Sequence, residues 1–281
     1  MKELLICTFS GGRTSAFMSQ YIINSSKYDN YDKLFIFANT GKERQETLDF
    51  INECDNQWNL NIIWLEAKID ETKGVGTTYD IVDYKTADRT GVVFETMLKK
   101  YPMPNVFASN CTRELKLKPI EKYVKDLGYK SYITALGIRY DERHRKSLKA
   151  KENKIIYPLC DDIQVDSTFI RKWWDSQCFD LQLKDYEGNC DLCFKKSVRK
   201  RMTLIKENKD ISKWWIDMES KYGDEVVPRF DLRSNLSVEE IVKKAQKPFQ
   251  SVEDVYELSK KQVSIFNEDL DYETDCFCKA T

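Results

Sequence analysis

The apolar run ELLICTF (3–9) opens directly into SGGRTS (10–15), and this junction constrains the fold more than any other part of the chain. A short run of branched apolar residues reads as a buried strand. Two adjacent glycines, Gly11 and Gly12, let the backbone turn tightly and bring amide donors close to a ligand. Ser10, Thr14 and Ser15 add hydroxyl groups. A helix predicted to start near Arg13, with Phe17, Met18, Tyr21 and Ile22 on one face, aims its amino end at the same place, which favours an anion. Arg13 adds a charged fork if its side chain turns inward. Two readings stand: a phosphate site, or a strand-to-helix turn with a serine cap. The stretch is neither GxxxxGK(S/T) nor GxGxxG, so the common nucleoside-triphosphate loop and the dinucleotide fold are set aside.

The same alternation continues. KLFIFAN (33–39) is a second buried strand, Thr40 and Gly41 a turn, and Leu48, Phe50 and Ile51 mark the next helix. NIIWLEA (61–67) is a third strand. Strand, helix, strand, helix, strand argues for a parallel sheet covered by helices. Residues 71–105 are harder to place: Gly74 and Gly76 suggest a loop, and VVFETMLKKY (92–101) a helix. CTRELKLKPIEKYVKDLG (111–128) reads as a helix interrupted or entered around Pro119. KSYITALGI (130–138) is a further strand. Ligands of open parallel sheets bind outside the carboxyl ends of the strands, so residues 10–15, 39–41 and 137–145 are expected on one edge.

GIRYDERHR (137–145) places charge at that edge. Arg139 and Arg145 can clamp phosphoryl or sulfuryl oxygens by paired hydrogen bonds. Asp141 or Glu142 can orient them or help hold Mg²⁺. His144 is the only histidine and, flanked by arginines, reads as a surface or structural residue rather than a catalytic one. Arg113, Lys116 and Lys118 either line an anionic pocket or form a basic face toward water. The tryptophan pairs at 173–174 and 214–215 are explained by packing, one member of each buried.

The nine cysteines are odd in number and no export signal is visible, which fits a reducing cytosol. Cys190 and Cys193 form a CxxC. Cys111 and Cys160 complete a plausible four-thiolate set for zinc or an iron–sulfur cluster, with Cys178 competing for either outlying place. Cys7 and Cys54 are small buried hydrophobes. Cys276 and Cys278 are a second thiol site or an incidental pair. The formal net charge of -1 makes no general case for a nucleic-acid binder. It hides basic stretches at 143–154 and 195–201 and an acidic one at 251–275. No apolar run reaches membrane-spanning length.

The motifs SGGRTS (10–15), FANTG (37–41) followed by ETLDF, CTRELKLKP (111–119) and GIRYDE (137–142) resemble the phosphoadenosine phosphosulfate reductase family, within the adenine nucleotide alpha hydrolase-like (ATP pyrophosphatase) fold. YPLCDD and GNCDLCFKKS look like the variety found in phage and bacterial relatives. The resemblance implies a three-layer α/β/α sandwich with a mostly parallel sheet, a cysteine-containing insert and a helical carboxyl-terminal region. The expected division is 1–160 as nucleotide-binding core, 161–230 as cysteine-containing region and 231–281 as helical appendage with acidic tail.

By resemblance, Ser10, Gly11, Gly12, Arg13, Thr14 and Ser15 hold the phosphates of ATP, adenylyl sulfate or its 3′-phosphorylated form. Asn39 and Thr40 flank the nucleotide, and Gly137 closes the pocket. Arg139, Asp141 and Arg145 act in catalysis. Mg²⁺ accompanies the nucleotide, and a 4Fe–4S cluster or Zn²⁺ sits on Cys111, Cys160, Cys190 and Cys193. The implied reaction is cleavage of ATP between the alpha and beta phosphates to adenylate a target, for sulfur transfer to a nucleic acid or small molecule. One alternative is a sulfonucleotide reductase using a tail cysteine, since the ECGLH-like segment of true reductases is missing here. Another is a non-catalytic nucleotide-binding module with structural zinc. Expected partners are an adenine nucleotide, a tRNA or DNA acceptor, a sulfur or electron donor protein and a second copy in a homodimer; the expected location is the cytoplasm.

Overall fold

The computed structural model describes residues 2–254 except 73, 189, 224–228 and 231–233. Strand β1 (Glu3–Thr8) is buried from its second residue onward. It lies between β2 (Tyr31–Asn39) and β5 (Tyr132–Ala135), parallel to both. β3 (Ile63–Lys68) runs parallel beside β2, and β6 (Ile155–Ile156) parallel beside β5. An antiparallel edge strand, β4 (Thr78–Val82), completes the six-stranded order β4-β3-β2-β1-β5-β6.

The sheet is covered on both faces, as the unbroken apolar strands require. Leu5, Cys7, Phe35, Phe37 and Trp64 face helices α1 (Arg13–Asn24), α2 (Gln45–Trp58) and α7 (Ser167–Asp175). Leu4, Ile6, Ile36, Ala38 and Leu65 pack on Ile120, Tyr123 and Val124 of α5 (Lys118–Asp126). Period-two alternation along β1 therefore feeds two separate cores. This is a three-layer α/β/α arrangement on a mostly parallel sheet. Cys7 and Cys54 are wholly buried within the first core, and burial pushes both thiols far up from their ordinary range.

A third core joins α3 (Val92–Leu98) to α8 (Val198–Glu207), α9 (Ile211–Tyr222) and α10 (Val238–Ala245), with Cys111, Cys190 and Cys193 among its members. Ser237 and Glu240 cap α10 reciprocally. Within each tryptophan pair one ring is fully buried, Trp174 and Trp215. The helical stretch before β5 does not break at Pro119. It runs from α4 (Asn110–Thr112) through a π turn (Arg113–Leu117) into α5, where proline stands in the first turn. The wider turn just ahead accommodates the donor that proline lacks. A short helix, α6 (Pro158–Asp161), carries Cys160. Among the described residues no helix is long and apolar enough to cross a membrane. Cys276, Cys278 and most of the acidic tail lie outside the described residues.

Candidate active site

β1 is where the chain reverses its direction of travel across the sheet: β2 and β3 are laid down on one side and β5 on the other. Such a switch point opens a crevice beyond the carboxyl ends of the strands. Residues 10–15 leave β1 there. Gly11 has φ +82, and a Cβ would run into the Thr47 methyl of α2, so both conformation and space demand glycine. Gly12 is the N-cap of α1 and has no side chain to satisfy the first amides. Ser15 does not cap them either. Its hydroxyl accepts from Ser10 N (3.1 Å) and Ser10 Oγ (2.9 Å) and donates to Gly12 O (2.9 Å). The serines close the loop upon itself, and no side chain caps the first turn of α1.

Arg13 turns away from this loop. Its Nε and Nη2 grip both carboxylate oxygens of Asp180 (2.7 and 2.8 Å), and Nη1 donates to Leu183 O (3.2 Å). Its carbonyl accepts from Trp174 Nε1 at 3.0 Å. Arg13 thus ties the 180–183 segment and α7 to the start of α1.

The β5 exit closes over the loop from the other side. A Cβ on Gly137 would stand 3.3 Å from Ser15 Cα and 3.4 Å from Ser15 N, so any larger residue would push the two backbones a few tenths of an ångström apart. Arg139, 7% exposed, donates from Nη1 to Thr14 Oγ1 at 3.2 Å. Its Nε and Nη2 pair with Asp141 (3.1 and 3.3 Å). Glu142, wholly buried, lies 3.4 Å from Arg139 Nη2 and accepts from Arg145 Nη1. Arg143 and His144 face solvent.

At the end of β2, Asn39 and Thr40 are sealed in and shape the turn from within. Asn39 Nδ2 donates to Glu66 Oε1 (2.6 Å) and Asp88 O (2.8 Å), and its Oδ1 accepts from Gly41 N (3.3 Å). Burial raises the Glu66 carboxyl above its ordinary range, opposed by these donors. Glu43 Oε2 accepts from Thr40 N (2.9 Å) and Thr40 Oγ1 (2.8 Å), while Lys116 stands 3.6 Å from its other oxygen. Of the three cations in CTRELKLKP, Lys116 is buried at this edge; Arg113 and Lys118 are exposed and pair with Glu114 and Glu121.

The CxxC loop docks on the same turn. Cys190 bridges to Glu43, Asp191 N donates to Lys42 O (3.1 Å), and Thr40 Oγ1 lies 3.5 Å from Cys190 Sγ. Asp191 binds Trp215 Nε1 at 2.6 Å and faces the Lys42 ammonium at 3.3 Å. Lys196 donates to the carbonyls of Glu187, Gly188, Cys190 and Asp191 (3.2, 2.6, 2.9 and 3.1 Å), and its burial lowers its proton affinity. Cys111, Cys190 and Cys193 share one core, whereas Cys160 packs with Ile138 and Tyr157 in another; burial raises its thiol. Cys178 is exposed. Among the described residues, no three of His, Cys, Asp and Glu come together in a way that could hold a metal ion. Of the four cysteines expected to act together, Cys111, Cys190 and Cys193 are thus in one core and Cys160 is in another. Asp141 and Glu142 pair with Arg139 and Arg145.

Glu43 and Lys196 went unread in the sequence. Glu43 had a signal: Thr40-Gly41-Lys42-Glu43 has the T-x-x-E spacing of a capping box, and the Glu43 carboxylate makes one of its two bonds, accepting from Thr40 N, and accepts from Thr40 Oγ1 as well.

A family model described as Phosphoadenosine phosphosulfate reductase domain matches residues 4–154. The chain is 33% identical over 212 residues to the uncharacterized nin region protein ORF290 of Escherichia phage lambda, covering 74% of this chain and 71% of that one. Among solved structures, phosphoadenylyl-sulfate (PAPS) reductase from Candida auris, in a phosphate complex, aligns with a TM-score of 0.40 and 16% identity, covering 63% of this chain and 74% of that one.

Proposed function

The chain belongs to the phosphoadenosine phosphosulfate reductase domain family, and from that premise we propose that it is an adenine-nucleotide-dependent enzyme that cleaves ATP between the alpha and beta phosphates to adenylate a target. One observation carries this reading: Arg139 reaches back from the β5 exit to Thr14 on the first turn of α1. A guanidinium and a hydroxyl meet on the uncapped first turn of α1, which supports a phosphate chain held there.

In this reading Ser10, Gly11, Gly12, Thr14 and Ser15 hold the phosphates. A target oxygen attacks the alpha phosphorus, its bond to the bridging oxygen breaks, and pyrophosphate leaves carrying that electron pair. Arg139 and Arg145 face the charge that grows on the phosphoryl oxygens. The adenylated target is then open to displacement of adenylate by an external sulfur nucleophile. Exposed Arg143, Lys149 and Lys151, around fully exposed Leu148, favour an anionic acceptor such as tRNA or DNA. The thiols of the CxxC loop enter no step.

The test is calorimetry with ATP and adenylyl sulfate, followed by pyrophosphate release from ATP with and without tRNA or DNA. Binding of ATP with acceptor-stimulated pyrophosphate release supports the reading. Binding of adenylyl sulfate alone, with sulfite release by added thiol, replaces it with the reductase. No heat from either nucleotide ends both.

A further inference from the structure

Glu142 sits in the 3-10 turn Tyr140–Arg145 and is wholly buried, although its neighbours Arg143 and His144 face water. Its Oε1 accepts from Arg145 Nη1. Its Oε2 lies 3.4 Å from Arg139 Nη2 and has no hydrogen-bond partner of its own. Its backbone N–H donates to Arg139 O at 3.1 Å. A carboxylate out of water is strongly unfavourable unless charge compensates it. Here the compensation is a pair of arginines, Arg139, which reaches the loop through Thr14, and Arg145, both nearly buried themselves.

The two acids of the turn do different work. Asp141 remains about a third exposed on the outer edge of Arg139, where water or a ligand oxygen can take its place. Glu142 is sealed behind both guanidiniums and cannot be displaced from solvent. We infer that Glu142 is a positioning residue: a fixed counter-charge that holds Arg139 and Arg145 together as a preformed fork beside Thr14. Without its negative charge two guanidiniums would repel each other in a low-dielectric setting, and Arg139 would lose the buried counter-charge that backs its bonds to Asp141 and Thr14. A preformed fork leaves less side-chain freedom to be lost when an anion arrives. This role rests on the nucleotide reading for its purpose, but its geometry is independent of it.

The experiment compares wild type, E142Q and E142D in the full chain. Arginine side-chain Nε–Hε resonances report whether Arg139 and Arg145 are fixed, and calorimetry with ATP reports the consequence. In wild type both resonances are expected to be protected and dispersed. In E142Q both vanish, the backbone spectrum persists, and ATP binds about tenfold more weakly. E142D, which keeps the charge, recovers the resonances and most of the affinity. Retained resonances or unchanged ATP affinity in E142Q overturn the inference. So does loss of the backbone spectrum in both variants, which makes Glu142 a folding residue only. If wild type binds neither ATP nor adenylyl sulfate, the proposed function fails, and the resonances alone decide whether Glu142 fixes the arginines.

Discussion

Arg139 and Thr14 are joined by a 3.2 Å hydrogen bond between groups 125 residues apart in the chain. The bond links the two strand exits that flank the switch point, and it makes a specific demand on the side chain. A lysine at 139 keeps the charge but cannot address Thr14 and Asp141 at once, since it lacks the planar fork. R139K should weaken ATP binding about tenfold, equivalent to about 1.4 kcal/mol, with a stability loss of about 1–3 kcal/mol from the hydrogen bonds it cannot replace. Calorimetry and urea unfolding measure the two separately. Unchanged affinity in R139K removes Arg139 from the nucleotide site.

Gly11 and Gly137 should respond differently to alanine. At Gly11 the left-handed φ of +82 costs about 1–2 kcal/mol for any other residue, and the Thr47 methyl occupies the space, adding about 1–3 kcal/mol of overpacking. G11A should therefore lower stability by several kcal/mol. At Gly137 only the approach to Ser15 is at stake, with 3.3 Å from Cβ to Cα. The reduced freedom of the unfolded chain offsets part of that strain, by about 0.4–1 kcal/mol. G137A should unfold near the wild-type midpoint yet bind ATP at least several-fold more weakly, because the β5 exit is pushed off the loop. Equal loss of stability in the two variants would contradict this.

The parts of the fold that could be read in sequence were those carried by apolar period. ELLICTF, KLFIFAN and NIIWLEA are strands because both faces are buried, and the convergence of residues 10–15 and 137–145 followed from parallel strand order. β4 was illegible: TYDIV is half exposed at the sheet edge, so no apolar run marks it. The direction of Arg13 was open because its partner, Asp180, lies 167 residues away in a segment without periodicity. In sequence Glu142 reads only together with Asp141, as one of two acids able to orient the arginines or help hold Mg²⁺, and nothing local indicates that it is the buried one.

Arg13 follows from that last point. If its guanidinium braces the 180–183 segment, removing it should loosen that segment and leave the phosphates alone. Both partners are partly exposed, so solvent screening limits the loss to about 1 kcal/mol. D180N and R13M should each raise hydrogen exchange across 178–187 and change ATP affinity less than threefold. A tenfold or greater loss of affinity in R13M, with D180N unaffected, would make Arg13 a phosphate ligand instead.

Glu66 supplies a pH dependence whose sign can be worked out. Burial is the largest influence on it and raises its carboxyl above the ordinary value of 4.5, while Asn39 and the Asp88 N–H pull the other way. The folded state therefore holds this proton to higher pH than the unfolded chain does. Where the folded state binds more protons, stability falls as pH rises. The contribution is fully present below 4.5 and declines as pH climbs from there through the raised folded value. Glutamine keeps an Oε1 acceptor for Asn39 Nδ2 and Asp88 N and has no proton to lose. E66Q should match wild type near pH 4 and gain on it as pH increases toward 8, read as the difference in urea midpoints across that range. A difference that stays flat, or that grows toward acid, would mean the Asn39 and Asp88 donors outweigh burial and hold Glu66 ionised.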